Sequence, residues 1–138
     1  DGLSRAGRAA MHRAAREAHA AVGDLGDSAI VLGFGEHLAL SQLHALANGP
    51  GTLCGSTTRS PALVTDGAGD YPLRTAVAFD LGRDGVPWFA YNLQPSRRSC
   101  VVVHFPDPPH RLAGQRFLDA LNAAGAKRVV AVTCSSST

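Results

Sequence analysis

Side chains suited to acid–base, nucleophilic and anion-binding chemistry gather at the ends of the short apolar runs in this chain. Glu36 and His37 follow a Gly-Phe-Gly turn after the apolar run 29–32. Three cysteines, Cys54, Cys100 and Cys134, border other apolar runs. In an α/β domain such junctions line a common rim, and ligands bind at that rim. The sequence therefore predicts a functional rim whose chemistry depends on which of these residues meet.

Glu36 and His37 are the first candidates for moving protons. A turn between a strand and a helix brings such residues to the carboxyl edge of the sheet, where the helix N-terminus can hold an anion. Glutamate and histidine both serve as general acids or bases. The structural alternative is that Glu36 stabilises the first turn of a helix through the helix dipole, with His37 at the surface. A lone Gly-x-Gly is weak evidence for a dinucleotide site, because the third glycine is missing.

The cysteines form the second candidate group. If the strands ending near Gly33, Cys54 and Cys134 are parallel, and a strand beginning at Cys100 is antiparallel to them, all three thiols approach His37. That set could bind zinc, or it could hold one nucleophilic thiolate beside the imidazole. The alternative is three small buried residues at strand ends. Because no CxxC or HxxxH spacing is present, we predict no metal site, and the sequence leaves the cofactor unknown.

Two hydroxyl-rich loops bearing arginines are the third candidate group, since guanidinium groups and hydroxyl donors suit phosphate or carboxylate. We predict that the guanidinium groups of Arg59, Arg97 and Arg98 converge within about 10 Å of a common point. Trp88, Phe89 and Tyr91 could add a stacking surface. The alternative is solvated loops. The predicted anion-binding residues are Ser56, Thr57, Thr58, Arg59, Ser96, Arg97, Arg98 and Ser99.

Hydrophobic periodicity and turn residues predict the order α-β-α-β-loop-β-β-β-α-β. Helices are expected over 4–22, 36–48 and 110–124, and strands over 28–32, 52–54, 73–81, 86–93, 100–105 and 129–133. The run 129–133 is continuously apolar, which is typical of a buried central strand. His104 falls within a strand and is interpreted as a core or edge histidine. The predicted fold is α/β or α+β, with a single mixed sheet of five to six strands and about three packed helices.

Composition limits the function classes. A chain of 138 residues is predicted to form one domain over residues 1–138, with 45% hydrophobic and 17% charged residues. The net charge of +2 is too small to imply nucleic acid by itself. Arginine outnumbers lysine twelve to one, a bias typical of GC-rich, bacterial-type coding sequences. Three cysteines without a close pair argue against a disulfide framework.

No apolar run reaches the ~18 residues that a membrane span needs, and arginines interrupt any signal-peptide core near the N-terminus. We therefore expect a soluble domain with no membrane partner. Its expected location is the cytoplasm, or a larger exported protein of toxin type.

Two functions remain open on the sequence alone. The first is a small enzyme domain acting on an anionic substrate, namely a nucleotide, a nucleic acid or a phosphorylated metabolite, with hydrolysis among the reactions considered. The second is a non-catalytic binding or immunity-type module that docks an acidic protein partner through the long polar loop 55–73 and the basic stripe of its first helix. The basic stripe comprises Arg5, Arg8, His12, Arg16 and His19. A pocket containing the Glu, His and Cys candidates favours the enzyme, and a flat arginine-rich face favours the binding module.

Overall fold

A computed structural model describes residues 4–65, 73, 75–80, 86–106 and 111–133. Helices and strands alternate along much of this part of the chain. In chain order they are α1 (Arg5–Val22), β1 (Ile30–Gly33), α2 (Leu38–Asn48), β2 (Leu53–Ser56), β3 (Ala76–Asp80), β4 (Pro87–Tyr91), β5 (Val101–Phe105), α3 (Arg111–Ala123) and β6 (Val129–Thr133). Short 3-10 turns occupy Phe34–Glu36 and Pro95–Arg97.

Side chains form hydrogen bonds at both ends of helix α1. The Ser4 hydroxyl accepts a hydrogen bond from the Gly7 N–H at 3.0 Å, which confirms the predicted N-cap. At the other end the Arg128 guanidinium donates to the carbonyls of Val22 and Asp24, both at 2.9 Å. A cation on the last carbonyls of a helix stabilises them and complements the helix dipole.

Four parallel strands form the main sheet in the order β2-β1-β5-β6. Ile30 of β1 is paired with Leu53 on one side and with Val101 on the other, and Val101 is paired with Val129. The parallel β-α-β unit predicted for β1, α2 and β2 is therefore confirmed.

The two sheet faces are covered by different elements. Val31, Val102 and Cys100 face the side where α2 contributes Ala45 and α1 ends at Val22. The other face packs against α3 and the β3–β4 hairpin. That core contains Ile30, Leu32, Phe34, Phe79, Ala90, Leu93, Val101, Val103, Phe117 and Leu121. Helices α2 and α3 thus cover opposite faces of the sheet.

The prediction of one mixed sheet of five to six strands is wrong. β3 and β4 pair only with each other as an antiparallel two-stranded sheet, apart from an isolated bridge between Thr58 and Phe89. The hairpin buries Phe79 and Ala90 against the sheet face instead of extending the sheet edge. The alternating pattern of the hairpin indicated a strand pair with one buried face. A hairpin that extends the main sheet and a hairpin that packs on its face both satisfy this pattern.

Two further expectations need correction. The 129–133 run was expected to be a central strand, but β6 lies at the edge of the described sheet and its residues are only half-buried or exposed. Helix α2 begins at Leu38, two residues after the predicted start, because Phe34–Glu36 forms a separate 3-10 turn. No helix in the described ranges is long and apolar enough to cross a membrane.

Candidate functional site

The chain reverses its winding direction at the boundary between β1 and β5. From β1 it crosses through α2 to β2 on one side, and from β5 it crosses through α3 to β6 on the other. In open α/β sheets, ligands bind outside the carboxyl ends of the strands at such a switch point. A cleft of about 340 Å³ lies there, lined by His37 and Leu38–Leu40 after β1 and by His104 and Phe105 of β5.

The turn after β1 requires glycine at its first position. A Cβ on Gly33 would lie 1.7 Å from the His37 carbonyl oxygen, so no larger residue fits between these two backbone segments. Gly35 adopts a φ of +69°, in the left-handed region that favours glycine. The Gly35 N–H donates to the buried Thr57 hydroxyl at 2.8 Å, and the Thr57 N–H donates to the Gly33 carbonyl at 3.0 Å. The two predicted rim segments, 33–37 and 56–60, therefore meet.

We expect Thr57→Val to lower the free energy of unfolding by about 1–3 kcal/mol, because it leaves the partly buried Gly35 N–H without its acceptor, the buried Thr57 hydroxyl. Thr57→Ser is the matched control, since it keeps the hydroxyl and loses only a methyl group. Urea unfolding of the two variants measures the difference. Equal stability of Thr57→Val and the wild type would show that this hydrogen bond does not hold the two segments together.

The segment after β2 is also anchored to β4. Thr58 exchanges backbone hydrogen bonds with Phe89 at 2.9 and 2.8 Å. The Tyr91 hydroxyl accepts from the Ala62 N–H at 2.7 Å and donates to the Ser60 carbonyl at 3.0 Å. The Tyr91 hydroxyl therefore braces both sides of the turn at residues 60–62 and attaches this turn to the β3–β4 hairpin.

Arg59 is exposed at the tip of this turn and lies against an aromatic stack. Its Cζ atom is 5.9 Å from the centroid of the Trp88 ring, within the range of a cation–π contact. The Trp88 ring stacks on Phe34 with centroids 5.4 Å apart and an interplanar angle of 12°. A Cβ on Gly35 would lie 3.7 Å from Trp88 and 3.8 Å from the His37 ring, so both rings flank this glycine.

The second arginine loop lies at the opposite edge of the sheet. The Ser99 N–H donates to the Ser28 hydroxyl at 3.0 Å, and the Ser99 hydroxyl donates to the Leu25 carbonyl at 2.8 Å, so this loop packs beside the start of β1. Arg98 donates through Nε to the Leu93 carbonyl at 2.9 Å.

The four residues of this loop that were predicted to bind an anion with Arg59 therefore do not join it. They precede β5, whereas Arg59 follows the carboxyl end of β2, and parallel strands separate the two edges. The residues concerned are Ser96, Arg97, Arg98 and Ser99.

The structure also does not bring the described cysteines together as predicted. β5 is parallel to β1, so Cys100 lies at the amino edge, and β1 separates it from Cys54 on β2. Both are free thiols. Burial raises the pKa of each, opposed by a Ser41 hydrogen bond at Cys54 and by the Arg128 charge at Cys100. Nucleophilic thiols have a lowered pKa instead. Cys134 lies outside the described residues.

Of the acid–base pair, the described structure includes the His37 side chain and only the backbone of Glu36. His37 is exposed, lines the cleft and immediately precedes α2, while Glu36 ends the preceding 3-10 turn. Within the part of the chain that the structure describes, the side chain of the N-cap residue His37 makes no hydrogen bond to the first turn of α2. Among the described residues, no three His, Cys, Asp or Glu side chains converge as a metal site would require.

Sequence reasoning missed a chain of three buried or half-buried histidines beside the cleft. His44 Nδ1 and His104 Nε2 are 2.8 Å apart, and His19 of α1 contacts His44 edge to face with ring centroids 5.6 Å apart. His104 is in the core, as expected of a strand histidine, but it also lines the cleft. No signal within one element of the sequence indicates this cluster, because His19, His44 and His104 belong to α1, α2 and β5.

Burial and the charge of a neighbouring histidine keep His44 and His104 neutral near pH 7. Burial, and then the neighbouring charge of His19, lower the pKa of His44 from 6.5 to about 4. Burial, and then the neighbouring charge of His44, lower the pKa of His104 to about 4 as well. A neutral imidazole both donates and accepts hydrogen bonds, so one ring can donate to the other across the 2.8 Å contact.

A family model described as "TRSP domain C terminus to PRTase_2" matches residues 1–121. The chain belongs to this family. The letters of the TRSP name are the residues of this chain at 58–61, Thr-Arg-Ser-Pro, which form the turn that Tyr91 braces. The matched residues of this TRSP domain extend from α1 into α3, and β6 lies beyond them. No curated protein matches the chain.

Proposed function

We propose that this TRSP domain binds a phosphorylated small molecule in the switch-point cleft, as the substrate or product of an enzymatic step. The observation that carries the proposal is that the cleft lies at the carboxyl ends of β1 and β5 and that α2 begins on it, with no cap from the side chain of its N-cap residue His37. The first N–H groups of a helix have no partner within the helix and favour an anion. Leu38, Ala39 and Leu40, which carry these groups, line the cleft.

The side chains around the cleft fit the same ligand class. His37 lines the entrance, and a histidine at this position can donate a hydrogen bond to a phosphate oxygen. Beside Gly35, outside the residues that line the cleft, the Arg59 guanidinium and the Trp88 ring offer a cation and a flat surface. Together they suit a phosphate attached to a planar or ribose-like group.

The family description supports this ligand class. It names the domain as C-terminal to PRTase_2, and PRTase abbreviates phosphoribosyltransferase. The reactions of such enzymes consume and produce phosphorylated sugars and nucleotides, so a neighbouring phosphate-binding domain would act on related molecules.

Leu38→Pro tests the helix N-terminus. Proline is well accepted at the first helical position but lacks the N–H, so it removes one anion contact with little effect on the helix. We expect about tenfold weaker binding of ribose 5-phosphate, which corresponds to about 1.4 kcal/mol. Isothermal titration calorimetry measures the affinity. Leu38→Ala is the matched control because it removes the same side chain and keeps the N–H.

A second candidate function rests on the groove between α1 and α2. It has a volume of about 540 Å³ and is lined by His12, Arg16 and His19 on one side and by Leu43 and Leu46 on the other. Leu46 is 75% exposed. Basic and apolar side chains side by side suit an acidic amphipathic segment of a partner protein.

NMR shift mapping with ribose 5-phosphate separates the two candidates. Chemical-shift changes confined to residues 37–40 and 104–106 support binding of the ligand in the cleft. Shifts confined to α1 and the outer face of α2 contradict the cleft proposal and favour the docking module.

A further inference from the structure

The switch-point cleft is lined mainly by apolar side chains in the part of the chain that the structure describes. His37 and His104 are the described lining residues with a polar side chain. The other described lining residues are apolar, namely Met11, Leu38, Ala39, Leu40, Phe105 and Pro106. Small-molecule sites commonly combine mostly apolar walls with a few polar groups that fix the orientation of the ligand. A ligand that fits this lining therefore has an apolar part as well as a phosphate group.

Two layers of the domain supply the apolar side chains of the cleft. Met11 is on α1, which packs against α2 on one face of the sheet. Phe105 is the last residue of β5 and packs against the core on the opposite face, which α3 covers. The cleft therefore crosses the edge of the sheet and takes one apolar residue from each layer.

The ring of Phe105 is held in place from the core side. Its centroid is 5.0 Å from the centroid of the Phe34 ring. A Cβ on Gly114 of α3 would lie 3.1 Å from Phe105 Cε1, so the helix backbone lies close against the ring. Such close packing leaves the ring little freedom, and the half-buried ring still lines the cleft. A fixed aromatic ring can stack against a planar group without a large loss of entropy.

Met11 adds an adaptable surface to this fixed ring. It is half-buried on α1 and is the only methionine in the chain. A methionine side chain is flexible and polarizable, and its sulfur makes favourable contacts with aromatic rings. Met11 can therefore adjust its conformation to cover a planar group that enters the cleft beside Phe105.

We propose that the cleft binds a nucleoside monophosphate, that its base packs against Met11 and Phe105, and that Met11 is a specificity-determining residue. This inference rests on the proposed function, which assigns the phosphate to the start of α2. A phosphorylated sugar without a base would turn hydroxyl groups toward Met11 and Phe105, which replace hydrogen bonds to water poorly. A base presents a planar π-face, which stacks well on aromatic side chains. The lining therefore favours a nucleotide over a phosphorylated sugar.

Isothermal titration calorimetry with adenosine 5′-monophosphate (AMP) and with ribose 5-phosphate tests this inference, because the two probes share the phosphorylated ribose and differ in the base. We expect the wild type to bind AMP about tenfold more tightly than ribose 5-phosphate. Met11→Ala should weaken AMP binding about fivefold and leave the affinity for ribose 5-phosphate unchanged. Alanine is a strong helix former, so this substitution keeps α1.

Two control variants separate contact with the base from a general effect on the domain. Met11→Leu keeps an apolar side chain of similar volume and should bind AMP within about threefold of the wild type. Leu46→Ala removes an exposed apolar side chain from the groove between α1 and α2, outside the residues that line the cleft. It should leave the affinities for both probes unchanged.

NMR of the Met11 methyl group reports directly on the base. The chain has no other methionine, and loss of the signal in Met11→Leu assigns it. The ring current of adenine should shift the Met11 methyl proton, and nuclear Overhauser effects should connect it to the adenine H2 or H8 proton. Ribose 5-phosphate should leave the signal nearly in place, because it has no aromatic ring.

The results distinguish failure of this inference from failure of the proposed function. Equal affinities for AMP and ribose 5-phosphate would overturn the inference and leave the phosphate site standing. A preference for AMP that survives Met11→Ala, or a Met11 methyl signal that AMP does not move, would do the same. Binding of neither probe to the wild type would overturn the proposed function and this inference with it.

Discussion

Acidification from pH 7 to pH 4 is expected to lower the free energy of unfolding by about 3–6 kcal/mol through His44 and His104 together. In the folded domain the pKa of each ring is lowered from 6.5 to about 4 by burial and by a neighbouring histidine. Between these two values the unfolded chain binds more protons than the folded one, so stability falls as the pH falls. It is fully present above pH 6.5 and is lost as the pH approaches 4.

Urea unfolding at pH 7, 6, 5 and 4.5 measures this loss. His44→Gln should flatten the pH dependence, because it removes one titrating ring and the charge that opposes protonation of the other. His12→Gln is the control. Because His12 is exposed, this substitution should leave the pH dependence of the unfolding free energy as in the wild type. A stability that is constant from pH 7 to pH 5 would show that these rings are not buried in the neutral form.

Gly33→Ala is expected to destabilise the domain by about 3 kcal/mol or more, the largest effect of any single substitution proposed for this chain. The added Cβ would lie 1.7 Å from the His37 carbonyl oxygen, and both partners are backbone atoms that no side-chain rotation can move apart. The turn can accept the methyl group only if Gly33 or His37 shifts, which breaks the Thr57–Gly33 contact and displaces the start of α2.

Thermal and urea unfolding of Gly33→Ala are compared with Gly49→Ala. Gly49 has a φ of +114° and open space around its Cβ position, so alanine there meets backbone strain alone, at about 1–3 kcal/mol. A Gly33→Ala variant as stable as Gly49→Ala would contradict the close approach of the two backbone segments. A folded Gly33→Ala variant should also bind ribose 5-phosphate more weakly, because the cleft depends on this turn.

The sequence alone predicted the elements whose signals are local. Ser4 as N-cap, the glycines at the ends of α1 and α2, and the alternating residues of the hairpin act within a few residues of themselves. These signals are read correctly because the physical interaction that they report is complete within one turn or one strand. The meeting of 33–37 with 56–60 was also predictable, since a short β-α-β unit brings both segments to one edge.

Only the tertiary structure decided the direction of β5 and the position of the hairpin. Cys100 and Arg97 lie at the opposite sheet edge from Arg59 because β5 is parallel to β1. The sequence did not predict this direction, because an apolar run such as 101–103 has the same pattern in a parallel and in an antiparallel strand. The hairpin lies on the sheet face because Phe79 packs against Phe117 of α3, with ring centroids 4.3 Å apart. The cluster of His19, His44 and His104 depends in the same way on α1, α2 and β5 meeting, because no signal within one element indicates the burial that the other two supply.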